Sequence, residues 1–130
     1  MEDGSRYDDL RIVSDLPFVE KAGRAADELS YPDGTHLCVH DTWYNTTTRF
    51  SAESRSVLLW SMGQAILRAG EGKDQTVLGL HFSGNHGHSH ADNLDLTLFA
   101  RGQALIPDIG DTHTTYRCFA TSRAAHNTMV

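Results

Sequence analysis

Cysteine is nearly absent from this 130-residue chain, which has only Cys38 and Cys118. The two are far apart and fit no metal-binding spacing. The sequence leaves open two buried thiols or one disulfide. There is no apolar run long enough to cross a membrane, no repeat and no low-complexity tract. Positive charge is also scarce. Eleven Lys and Arg against seventeen Asp and Glu give a net charge of −6, which argues against nucleic acid or an anionic membrane as the main partner. A polyanionic substrate is still compatible, because local histidines and arginines can build a basic cleft in an acidic protein. No basic region followed by an apolar run marks a signal peptide at the N-terminus. Both ends read as cut from a longer protein: the start is polar, and His126-Asn-Thr-Met-Val130 reads as the middle of a strand.

What the chain does have is histidine, eight in all, three of them in Gly84-Asn-His-Gly-His-Ser-His-Ala-Asp-Asn-Leu94. An extended segment points alternate side chains to one face. That parity would gather His86, His88, His90 and Asp92 on one side and continue through Leu94, Leu96 and Leu98 toward a core. Imidazoles and a carboxylate on a half-dehydrated face are costly unless they bind metal, pair or do chemistry.

The periodicity predicts a helix over residues 15–30, with Asp15 as cap, Pro17 in the first turn and Phe18, Ala22, Ala25, Ala26 and Leu29 as an apolar stripe. Tyr31-Pro-Asp-Gly34 is a turn signal. A second helix is expected from Ser51 to about Ala69, with Leu58, Met62, Ala65, Ile66 and Ala69 on one face and Gly70 ending it. Strands are expected over 75–82, 93–100 and 104–109, with a hairpin turn at Arg101-Gly102-Gln103 and a further strand opening at His126. This is an α+β pattern, helical over residues 1–72 and antiparallel β over residues 73–130, with neither part complete. Trp43 and Trp60 read as core residues, and His36, His40, His81, His86 and His113 as loop or surface histidines.

His88, His90 and Asp92 fall on one expected strand, Asp108 at the end of the next and His126 at the opening of the last. Two histidines and a carboxylate drawn from neighbouring strands suit zinc, with water or substrate in a fourth position. The wording around them, His88-Ser-His90-Ala-Asp92-Asn-Leu, Gly102-Gln-Ala-Leu-Ile-Pro-Asp108-Ile-Gly and Ala125-His126-Asn-Thr-Met-Val, resembles the heparinase II/III family of polysaccharide lyases. The resemblance covers residues 76–130 well. It extends more weakly over 31–60, through Pro32-Asp-Gly34 and Asp41-Thr-Trp43.

The resemblance implies the end of an α/α toroid followed by the start of an antiparallel β-sandwich. It implies a structural zinc on His90, Asp108 and His126, with Asp92 orienting a histidine behind the ligands. His88 would lie in the cleft beside a substrate uronate and, with Tyr116, carry catalysis. Arg117 and Asn127 would contact substrate. The family's toroid also supplies an acid/base tyrosine, for which Tyr44 and His40 are candidates by residue type only. The implied reaction is β-elimination on a uronic-acid-containing glycan, heparan-type or alginate-type, in a bacterial periplasm or cell envelope. Two other classes compete. One is a cupin-like metalloenzyme using His88, His90 and Asp95. The other is a zinc-stabilised domain that binds glycans without cleaving them.

Overall fold

The structure, a computed structural model, describes residues 15–43, 55–84, 88–111 and 115–129. Tyr44, His86 and His113 lie outside the described residues. Two short helices, α1 (Pro17–Gly23) and α2 (Ala25–Glu28), lead into an irregular segment. Five strands then form one antiparallel sheet in simple chain order: β1 (Val57–Leu59), β2 (Gln64–Ala69), β3 (Thr76–His81), β4 (Asp95–Ala100) and β5 (Gln103–Ile106). A last short helix, α3 (Arg117–Ala120), follows the sheet.

The helix expected over 51–69 is not found among the described residues of that range, which form β1, a short 3₁₀ turn and β2. The sheet therefore begins at Val57, before residue 73. The apolar residues here satisfy a helical stripe, but a short apolar run is ambiguous by periodicity alone. Pairing decides the outcome, with Ile66 opposite Val57 on one side and Gly79 on the other. Gly63 makes the turn possible. Its φ is +63°, and a Cβ there would lie 2.4 Å from the Ser83 backbone. The first helix is shorter than expected and broken at Arg24, and α1 buries none of its residues. The expected strands at 75–82 and 93–100 and the hairpin are present, with Arg101 and Gly102 both at positive φ, as a two-residue hairpin turn demands.

One face of the sheet receives the N-terminal segment. Tyr31 stacks on Phe99 with ring centroids 5.0 Å apart. Around them Leu37, Ile66 and Val77 complete a small core. Arg68 reaches from β2 under the end of α2, where its guanidinium donates to the Glu28 carbonyl at 2.6 Å and the Ser30 carbonyl at 3.0 Å. It thereby satisfies acceptors that a terminating helix leaves orphaned. The opposite face carries Leu58, Leu67 and Leu96, all exposed.

Gly79 sets how closely the two layers approach. A Cβ there would fall 2.5 Å from both Leu37 Cδ2 and Thr97 Oγ1. Gly79→Ala should therefore destabilise the chain by about 1–3 kcal/mol through overpacking. The expected result is a lower urea midpoint at unchanged m-value; an unchanged midpoint would show that Leu37 can move aside freely.

The parity expected through Leu94 and Leu96 is reversed. Asp92 and Asp95 close a turn, with Asp95 N–H donating to Asp92 O at 2.9 Å, and Leu94 adopts φ +64°. This kink shifts the alternation by one residue. Asp95, Thr97 and Phe99 face inward, while Leu94 and Leu96 face outward. His88 to Asp92 consequently lie in turn and irregular structure ahead of β4 and are not part of a strand.

Candidate functional site

Along its inner face the sheet changes from apolar to polar. Phe99 and Val77 lie at one end, while His81 at the end of β3 pairs in register with Asp95 at the start of β4. The segment that places Leu37 over Gly79 continues to His40, whose ring meets His81 edge-on with centroids 4.2 Å apart. His40 sits at φ +53°. Both histidines are buried; His40 lies in a turn, as expected, whereas His81 ends β3 and is not the loop or surface histidine expected from the sequence. Trp43 and Trp60, expected in the core, are exposed, and Trp60 packs edge-on against Phe82. Cys38 is buried and Cys118 exposed, and no disulfide joins them.

His88 and His90 share one carboxylate. Asp41 accepts from His88 Nδ1 at 2.8 Å through one oxygen and from His90 Nε2 at 3.0 Å through the other. Arg117 braces the same carboxylate at 3.0 and 3.2 Å and also pairs with Asp111. The hydrogen bonds from His88 and His90, followed by Arg117, outweigh partial burial and hold the Asp41 carboxyl well below the usual carboxylate range. The consequences for the two histidines differ. The His88 side chain is 83% exposed, and with Nδ1 engaged its Nε2 is left for solvent or ligand. His90 is buried, and with Nε2 engaged its Nδ1 has no partner.

His126 lies next to His90, with centroids 5.3 Å apart. Its Nδ1 donates to Asp108 at 2.5 Å, which leaves Nε2 buried and unpartnered. Burial lowers the His126 pKa, but the bond to Asp108 and that residue's charge more than offset this, so the net shift is upward. The second Asp108 oxygen accepts from Gly110 N–H at 2.7 Å. Burial, then the Asp108 charge, pushes neighbouring Asp95 up to about 7. Asp92 is 1% exposed; one oxygen faces His40, and the other is buried without a partner. His90, Asp92 and His126 can each offer one ligand atom, all within 4.8 Å of one another.

The structure thus brings His88, His90, Asp92, Asp108 and His126 into one region, but no strand opens at His126 among the described residues. His126 instead follows a short 3₁₀ turn. Asn127 N–H donates to Asp95 at 2.6 Å and its side chain donates to Pro107 O at 3.0 Å, so Asn127 ties two chain segments together. Arg117 is turned toward Asp41 and Asp111, and Tyr116 is 73% exposed. Asp41, Asp111 and His81 were not legible as site residues in the sequence, and His40 was so only as a candidate by residue type. Asp41 is separated by 47 residues from His88, and no local spacing signals such a pair.

Burial raises the Asp92 carboxyl, but the contact and charge of His40, then His81, outweigh it and hold the group at about 2, below its ordinary 3.8. Because the folded-state value is depressed, this stabilisation is present above the unfolded value and lost as pH falls through about 2. It amounts to roughly 2 kcal/mol. Metal-free chain should lose that increment between about pH 5 and pH 2, and Asp92→Asn should not. Parallel urea titrations of the two proteins check this, and identical acid slopes would refute it.

No curated protein matches the chain. Among solved structures, a heparinase III superposes with a TM-score of 0.73 over 89% of this chain at 19% identity. Another heparinase III gives 0.70 over 85% at 17% identity. A heparan sulfate lyase, HepC from Pedobacter heparinus, gives 0.67 over 84% at 20% identity. At such identities the likeness shows the fold, that of the heparinase β-sandwich region. This chain covers 24%, 25% and 23% of those three proteins respectively, about a quarter of each. Residues 52–130 match the heparinase II/III-like C-terminal domain. With more than half of its length inside that match, the chain belongs to the heparinase II/III-like family, a family of polysaccharide lyases.

Proposed function

We propose that this chain is the zinc-stabilised part of a polysaccharide lyase that cleaves a uronic-acid-containing glycan, heparan-type or alginate-type, by β-elimination. The observation that carries this reading is the exposed imidazole of His88, fixed through Nδ1 by Asp41 beside a buried histidine–carboxylate cluster. A neutral His88 with its proton on Nδ1 presents the Nε2 lone pair to a ligand. That nitrogen can take the proton α to a uronate carboxyl. Tyr116, also exposed, is the chain's candidate for donating a proton to the departing 4-linked sugar oxygen. The product end is a 4,5-unsaturated uronate. Arg117 is placed to act mainly through Asp41, bracing the carboxylate that orients His88, with its remaining guanidinium donors toward the substrate carboxylate.

The donor set fits zinc. His90 Nδ1, His126 Nε2 and one Asp92 oxygen are buried and unpartnered, and their residues form one ligand-distance group. Asp41 and Asp108 fix the tautomers of the two histidines, the carboxylate–histidine arrangement that orients metal ligands. The resemblance makes Asp108 itself a ligand. Both its oxygens are engaged here, with His126 and Gly110, so in this geometry Asp92 completes the set and Asp108 backs His126. Bound zinc would join the segments that carry His90, Asp92 and His126. The acid/base tyrosine of an α/α toroid would come from additional chain, and the whole enzyme would work in the periplasm or cell envelope.

The test is an assay of the complete protein containing this chain on heparan-type and alginate-type glycans, reading the ultraviolet absorbance of the unsaturated product. Product formation on one class is expected. Glycan binding with no product would support instead the non-catalytic domain, and neither binding nor product would reject both.

A further inference from the structure

Ser83 carries a hydroxyl that the proposed lyase chemistry leaves unused. It follows β3 and lines a groove of about 480 Å³. Its oxygen is 2.8 Å from His40 Nε2 and 2.7 Å from His81 Nε2. A hydroxyl has one proton and gives it to one ring. The other ring must then donate its own Nε2 hydrogen to the same oxygen. In either assignment one imidazole is a base for Ser83 and the other a donor to it. Behind both rings stands the same Asp92 oxygen, 3.1 Å from His40 Nδ1 and 3.7 Å from His81 Nδ1. The His40 and His90 backbone N–H groups hold this side of the cluster, donating to that Asp92 oxygen at 3.4 Å and to His40 Nδ1 at 3.2 Å.

Hydroxyl, imidazole and carboxylate in this order make the arrangement of nucleophilic acyl transfer, which is recognised by geometry and roles and not by position in the chain. Such contacts are often long before substrate binds and tighten in the complex. The groove supplies the rest of a binding site. Leu29, Val39 and Met62 give it an apolar wall, suited to a short acyl chain. Gln64 lines it too; it is 3% exposed, and its amide oxygen is buried with no hydrogen-bond partner among the described residues. A buried acceptor left open is costly, and a hydroxyl on the alcohol side of an ester would satisfy it.

We propose that Ser83 is the nucleophile of an ester-hydrolysing site for short-chain carboxylic esters, with His40 and His81 as its imidazole pair and Asp92 backing both rings. Ser83 Oγ bonds to the ester carbonyl carbon as its proton passes to the accepting Nε2. The donating ring turns its N–H to the carbonyl oxygen, where negative charge develops. The carbon–oxygen bond to the alcohol then breaks, and the alcohol leaves with the proton held by the accepting ring. Water attacks the acyl-serine in the same way, releases the carboxylic acid and restores the hydroxyl. The Asp92 oxygen used here is not the unpartnered one offered to zinc above, and His88 takes no part, so the site does not depend on the lyase reading.

The test is fluorophosphonate labelling of the full chain with peptide mapping, beside hydrolysis of p-nitrophenyl acetate and butyrate by wild type, Ser83→Ala, His40→Gln and His81→Gln. The expected result is a phosphonate adduct on Ser83, ester turnover lost in Ser83→Ala, and turnover lowered by about 10²-fold or more in each histidine variant. Folded wild type that carries no adduct, or carries it only on another residue, would overturn the proposal. Turnover that survives Ser83→Ala would do the same, since other groups would then account for it. An adduct on Ser83 with turnover unchanged in both histidine variants would also sink it, because the hydroxyl would be reacting without the pair. If the variants fail to fold, the wild-type map decides: phosphonate on Ser83 supports the site, and its absence there overturns it.

Discussion

His126→Ala is expected to destabilise the metal-free chain by about 3–5 kcal/mol, the cost of removing one partner of a buried ion pair. His126 and Asp108 are both almost fully buried and contact each other at 2.5 Å. Removing the ring leaves a buried carboxylate with, among the described residues, the Gly110 amide as its hydrogen-bond donor. The pair should also give stability a pH signature. His126 is raised above its ordinary value in the folded state, so its contribution is complete below the unfolded value and lost as pH rises through the folded one. Urea unfolding across neutral pH should show this fall in the wild type and not in the variant. The double variant His126→Ala/Asp108→Ala should regain part of the loss, since neither charge is then stranded. A single-variant loss under about 1 kcal/mol would mean that water reaches Asp108 and that the pair is not the strong contact described here.

His88→Ala should have the opposite character. Its side chain is largely exposed and its one described hydrogen bond goes to Asp41, so stability should change by no more than about 0.5 kcal/mol. If the proposed lyase chemistry is right, turnover should fall by about 10²–10⁴-fold, the usual contribution of a positioned acid or base. Lyase assays and urea unfolding on the same preparations separate the two effects. Unchanged turnover would remove His88 from the chemistry. A stability loss comparable to that of His126→Ala would show that His88 is held more tightly than its exposure implies.

The two histidines differ in a way that the sequence could not show. His88 and His90 are two residues apart and read as partners on one face. In the structure Asp41, distant in sequence, takes a different ring nitrogen from each and so turns one outward and the other inward. Local spacing carried the identity of the cluster, because His88, His90, Asp92, Asp108 and His126 do come together. It did not carry their roles, which depend on which nitrogen or oxygen a remote carboxylate or hydroxyl occupies.

The secondary structure divides in the same manner. The strands over 75–82 and 93–100 and the hairpin at Arg101 and Gly102 were legible because local propensity and turn chemistry agree with the pairing found. Residues 57–69 were not, because their apolar spacing fits a helix as well as a strand, and only the neighbour β3 breaks the tie. The single kink at Leu94 then reversed which residues of β4 face inward.

By itself the sequence determined the family, the antiparallel β character of the second half and five residues of the polar cluster, His88, His90, Asp92, Asp108 and His126, since each is written in local pattern. The tertiary structure alone decided the start of the sheet at Val57, the burial of His40 and His81 against Asp92, and the bracing of Asp41 by Arg117. Those features depend on contacts between residues dozens of positions apart. Burial and proton ownership in such contacts follow from packing, not from spacing along the chain.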